Sequence, residues 1–212
     1  MAKPVTIPED LIVGGNLRLT GRVTPAIARE DIIALAELQE FPIPLTDFRV
    51  HDAMHTVLPG TPATDDLGLV GGTFGVATPS IRSEDLKAAG ATNKYARVLV
   101  QLPWEYEASQ SVTLRFKAGM ITTVADTTAT LDCQAYKLQD DPDDAIGSDL
   151  VTTAATTMNS TTFADIDFVV TPTGLSPGDI LDVRVTAAVN DAATATAVIA
   201  GITSAKLLCD VR

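Results

Sequence analysis

Apolar and polar residues alternate over most of this chain, and the period changes near its front. In VTLRFKAGM, Val112, Leu114 and Phe116 fall on one side, with Thr113, Arg115 and Lys117 on the other. ILDVRVTAAV repeats the pattern through Leu181, Val183, Val185 and Ala187. A period of two is the mark of a half-buried strand. By this criterion strands are expected at 95–102, 111–118, 128–138, 149–153, 163–171, 180–189 and 195–211, the last with a possible break at Gly201. Between 45 and 92 turn signals dominate, among them Leu58-Pro59-Gly60, Val70-Gly71-Gly72 and Thr78-Pro79. Short strands fit there at 48–50, 67–70, 73–76 and 80–82.

The first 44 residues read differently. Leu17, Leu19 and Val23 alternate with Asn16, Arg18, Thr20 and Arg22, which predicts one strand. Thr24 is placed to cap a helix whose first residue is Pro25, where a missing N–H costs nothing. That helix runs to about Glu37. Ala28, Ile32, Leu35 and Ala36 form its apolar stripe, while Ile33 lies on the opposite side between Arg29 and Glu37. A helix apolar on two sides suits burial on two sides. The fold class expected is therefore all-β, a jelly-roll-like β-sandwich over 45–212 with an N-terminal arm, 1–44, of one strand and one short helix.

Composition narrows the function classes. Of the 212 residues, 46% are hydrophobic and 20% charged, enough apolar material for a packed core. The net charge of −12 repels phosphate backbones, and Lys and Arg are scattered singly along the chain, so no direct nucleic-acid partner is expected. The segment MAKPVTIPED lacks an apolar signal region, and no apolar run approaches the roughly 18 residues of a membrane span, so neither secretion nor a membrane partner is expected. Cys133 and Cys209 fall in strand-like runs and read as small buried hydrophobes.

Three places invite chemistry. In HDAMH, His51 and His55 have the i,i+4 spacing that shares a zinc ion on a helix, which would make a metal-dependent hydrolase. Asp52 replaces the usual Glu, no third histidine exists, and the flanking Pro and Gly do not favour a long helix. The run Asp140, Asp141, Asp143, Asp144 offers oxygen ligands for calcium, without EF-hand spacing. Trp104 and Tyr106, in LPWEYE, could contact a sugar; the alternative places Trp104 as a cap on one end of the sandwich. No GxSxG elbow or phosphate-cradling glycine pattern occurs, so neither catalytic residues nor a cofactor is expected.

The segments GGNLRLTGRVTP, LPWEYEASQSVTLRFKAGM, FADIDFVVTPTGLSPGDILDVRVTAAVNDAA and KLLCDVR resemble virion structural proteins of tailed bacteriophages, of the head-decoration or fibre type. The resemblance implies a non-enzymatic protein of the virion, assembled in the host cytoplasm as a homo-oligomer, a trimer foremost, against capsid or tail proteins. A strand without a local partner exposes unpaired backbone groups, and pairing with a neighbouring chain removes them. Leu17, Leu19, Val23, Ile32, Ile33 and Leu35 are the expected attachment contacts. A carbohydrate- or receptor-binding module of a phage fibre is the alternative.

Overall fold

Alternation sets which residues enter the core, and the core residues of two sheets meet. The structure, a computed structural model, describes residues 38–62 and 64–211. The strand and helix expected before residue 38, with Leu17, Leu19, Val23, Ile32, Ile33 and Leu35, lie outside the described residues.

Among the described residues twelve strands follow one another: β1 Gln39–Pro42, β2 Arg49–Val50, β3 Ala53–Val57, β4 Gly68–Val70, β5 Ser80–Arg82, β6 Gly90–Gln101, β7 Val112–Met120, β8 Thr128–Lys137, β9 Thr156–Thr157, β10 Ala164–Val170, β11 Ile180–Asp191 and β12 Ala200–Cys209. One six-stranded sheet has the order β10-β7-β12-β5-β4, with β1 also paired to β12. The other has the order β3-β2-β6-β11-β8-β9. All these pairings are antiparallel. From β5 onward the longer strands change sheet at each step, which builds a β-sandwich of two antiparallel sheets. The only helical turn among the described residues is a 3₁₀ turn at Leu45–Asp47.

Leu114, Phe116 and Phe168 from the first sheet share one core cluster with Val98, Leu131, Val183 and Val185 from the second. The Phe116 and Phe168 rings meet edge to face at 6.0 Å, a favoured geometry for aromatic quadrupoles. Lys94 and Asp191 also point into this interior. Lys94 occupies an inward position of β6, where it pairs with Glu84 and donates to the Thr64 carbonyl. Asp191, fully buried at the end of β11, accepts from Ala88 N (2.7 Å), Asp126 N (2.9 Å), and the backbone and hydroxyl of Thr194. Burial pushes its pKa up, but those donors outweigh it and hold the carboxyl at about 2.

The departures from the sequence expectations have local causes. Residues 73–76 form a turn, not a strand. Val76 N and Ala77 N both bond to Thr73 O, and Gly75 takes φ +74°. Residues 149–153 form only an isolated bridge, Val151 to Val170. The Asp149 carboxylate accepts from Ala135 N and Val151 N, each at 3.0 Å, taking donors that a ladder would use. β12 starts at Ala200, and its irregularity falls between Ile202 and Ser204 rather than at Gly201. Strands β1, β3 and β9 were not expected. β1 carries Pro42, a residue that signals a strand edge, and Ile43 just after it is buried. β1 pairs with β12, and Ile43 joins the core cluster.

Candidate binding face

The outer face of the second sheet carries side chains unlike the Thr, Lys and Ser of an ordinary solvated face. Strands β6, β8 and β11 bury Ala96 and Val98, Cys133 and Ala135, and Leu181, Val183 and Val185. Their alternate residues therefore point outward. Register brings these residues into rows. Arg49 on β2 stands opposite Arg97 on β6, Arg97 opposite Arg184 on β11, and Arg184 opposite Gln134 on β8. Two residues along, Leu99, Asp182 and Tyr136 form the next row. On the other side stand Tyr95, Thr186 and Asp132.

Hydrogen bonds fix these groups. Arg97 donates to Asp182 through both Nε (2.6 Å) and Nη2, a fork that holds the guanidinium in one plane. The Asp182 carboxylate and partial burial act in opposite directions on Arg97, and the hydrogen bonding prevails, raising its pKa. Arg184 donates to the Gln134 side-chain oxygen and lies over the Tyr95 ring, 5.2 Å from its centroid. His51 sits in the hairpin turn between β2 and β3, its ring 4.6 Å from that of Tyr95. Asp66 Oδ1 lies 3.2 Å from His51 Nδ1 and steadies the imidazole. The depression between these groups measures about 270 Å³ and is lined by His51, Arg97, Gln134, Tyr136, Ile146, Asp182 and Arg184. Two guanidinium groups, a carboxylate, an amide and the Tyr136 ring converge there, a set suited to a ligand rich in hydroxyl groups with apolar ring faces.

The residues singled out in the sequence have other positions. His51 lies in a turn and His55 on β3, so no helix brings the two rings to one face, and the HDAMH zinc geometry is not formed. Among the described residues, His51, Asp52 and Asp66 bring one ligand atom each within 4.8 Å of one another. No described hydroxyl or thiol bonds to either histidine, so no nucleophile–base pair is formed among the described residues. In the acidic loop Asp140, Asp141, Asp143 and Asp144 are exposed. Asp141 Oδ1 accepts from Asp143 N at 3.0 Å, so this carboxylate closes its own turn. Tyr106 is interior, 1% exposed, and its hydroxyl donates to Gln110 O at 2.8 Å; its ring faces the core, not a ligand. Trp104 is 77% exposed beside Gly178, where an added Cβ would come within 3.2 Å of the indole, and it does not line the depression. Cys133 and Cys209 are both free and buried.

Sequence reasoning missed Tyr95, Arg97, Gln134, Tyr136, Asp182 and Arg184. A signal existed: within KYARVLV, LDCQAYK and ILDVRVT the outward positions hold Tyr, Arg, Gln and Asp. Their adjacency, however, exists only in the register of three strands distant in sequence.

No protein-family model and no curated protein matches the chain. Among solved structures it is similar to the xylan-binding module CBM15, with 9% identity over 82% of this chain and 99% of that one, at a TM-score of 0.43. It is similar also to a family 30 carbohydrate-binding module, with 12% identity over 81% and 99% of the two chains and a TM-score of 0.42. A third is the enzymatically active domain of bacteriophage CBA120 tailspike protein 4, with 15% identity over 78% of this chain and 20% of that one, at a TM-score of 0.34. These likenesses are distant.

Proposed function

We propose that this chain is a non-enzymatic carbohydrate-binding β-sandwich module whose ligand lies across the outer face of β6, β11 and β8. The observation that carries this reading is the convergence of Arg97, Asp182, Arg184, Gln134 and Tyr136 around one open depression. A sugar ring offers vicinal hydroxyls, which both donate and accept, and C–H faces. The N–H groups that Arg97 and Arg184 do not spend on Asp182 and Gln134, together with the Gln134 amide NH2, match the hydroxyls, and the tyrosine ring matches the C–H face. The neighbours are already hydrogen-bonded to one another, so little side-chain freedom is lost when a ligand docks. The resemblance of the sequence to phage fibre and head-decoration proteins supplies a setting: a homo-oligomer displayed from a virion and attached through its N-terminal region.

A glycan array probed with the full chain and with a Tyr136→Ala variant tests the binding reading. Glycans retained by the parent chain and lost or weakened by the variant are expected. An array without signal, or one on which the variant performs equally, would overturn it.

A further inference from the structure

Three arginines in direct register across adjacent strands are an expensive arrangement in a chain with net charge −12. Like charges directly opposite one another destabilise a sheet, and nothing in packing this face requires three guanidinium groups. Of the three, Arg97 is neutralised by Asp182, and among the described residues no carboxylate pairs with the other two. Arg184 has the Gln134 oxygen and the Tyr95 ring as partners, and Arg49 has the carbonyls of Thr46 (3.0 Å) and Phe48 (3.4 Å). These partners are neutral and leave both charges standing. The outward carboxylate of β8, Asp132, accepts from the Cys133 N–H. Arg184 borders the depression, and Arg49 extends the row beyond it.

Resting on the carbohydrate reading above, we infer that the face selects an acidic sugar, with Arg184 meeting the ligand's carboxylate and Arg49 adding a second cation along the row. A planar guanidinium binds a carboxylate through two parallel hydrogen bonds, which a point-charge ammonium does not reproduce. The strongly acidic chain as a whole repels long polyanions. The fitting ligand therefore carries its charge on one sugar, such as a carboxylated residue at the end of a glycan chain, rather than on every unit. Arg97, already held by Asp182, presents hydroxyl-binding groups and not free charge.

Titration calorimetry of the full chain tests this, with 3′-sialyllactose and a glucuronic-acid-terminated disaccharide as two sources of the carboxylate and with lactose as the neutral counterpart. The acidic sugars, or one of them, should bind at least about tenfold more tightly than lactose, as a charge-assisted fork implies. Added salt should weaken only the acidic sugars. Arg184→Gln should remove the preference, and Arg184→Lys should restore it only in part. Arg49→Gln, farther from the depression, should reduce the preference without abolishing binding. Melting curves of the variants confirm that each is folded. Binding of neutral and acidic sugars with equal affinity would overturn the inference while the carbohydrate reading stands. An acidic preference unmoved by both Arg184→Gln and Arg49→Gln would overturn the assignment to this row. Binding of a single-stranded oligonucleotide in preference to every sugar would overturn both.

Discussion

Arg97 stands directly opposite Arg184 in the β6–β11 ladder, yet turns its guanidinium diagonally onto Asp182, with Nε 2.6 Å from Oδ1. The turn separates the two like charges and gives each a different role on the face. It also buries Asp182, whose side chain is 8% exposed although it points away from the core. A carboxylate so covered depends on its partner.

Replacing Asp182 by Asn should therefore free Arg97 and cost about 1–3 kcal/mol, since hydrogen bonds to charged groups contribute on that scale and Arg97 remains partly in solvent. Urea denaturation of the parent chain and the variant measures this. Equal stability would show that the pair is incidental.

Acid should loosen the end of the sandwich held by Asp191. Its pKa in the fold, about 2, lies below the ordinary aspartate value of 3.8. The unfolded chain thus takes up the proton first as pH falls. The stabilisation is complete above about pH 4 and is lost as pH drops through about 2. Glu40 beside Lys206 and Asp167 beside Arg115 are shifted the same way and add to the trend. Thermal melts between pH 5 and pH 2 should show a falling midpoint, and Asp191→Asn should flatten part of that slope. A midpoint independent of pH in this range would contradict it.

Both thiols should be inert in the native protein. Burial, followed by the neighbouring Asp132 and Asp149, pushes the Cys133 thiol well above its ordinary range, and burial with Asp210 raises Cys209 to about 11. The reactive thiolate is therefore scarce as well as covered. A thiol reagent at pH 7.5 should label neither cysteine within the time in which it labels both in urea. Rapid native labelling would mean that β8 or β12 opens readily.

The boundary of the sandwich can be tested by truncation. Removing residues 1–35 retains β1 and the buried Ile43, whereas removing 1–44 deletes both. The shorter deletion should leave a folded monomer by light scattering, with oligomers confined to the full chain. The longer deletion should be less stable, by about 2–5 kcal/mol for the loss of a buried Ile and its strand. An oligomeric 36–212 chain would move self-association into the sandwich.

The long strands were legible because period-two alternation is a local property of the chain. Ser80–Arg82 matched as expected, β7, β8, β10 and β11 matched within two residues of their ends, and β6 begins at Gly90, five residues before its expected start. β1 and β9 were not, since their pairing with β12 and β8 is decided by tertiary position rather than by their own residues. Turn closure at Thr73 and the Asp149 side-chain bonds override local strand propensity in the same way. The site was less legible still. Histidine spacing and an acidic run attract notice in one dimension. Arg97, Arg184 and Gln134 become neighbours only when β6, β11 and β8 are laid side by side. Tyr106 misled because an aromatic after a strand serves a core as readily as a ligand.

The most direct measurement is amide hydrogen exchange of the full chain with and without a glycan retained on the array. Protection is expected to rise across 95–99, 132–136 and 182–186 and at the His51 turn, with Trp104→Ala leaving both the affinity and the footprint unchanged. A footprint centred on Trp104 and Gly178, or on the 140–144 loop, would contradict the assignment of binding to the outer face.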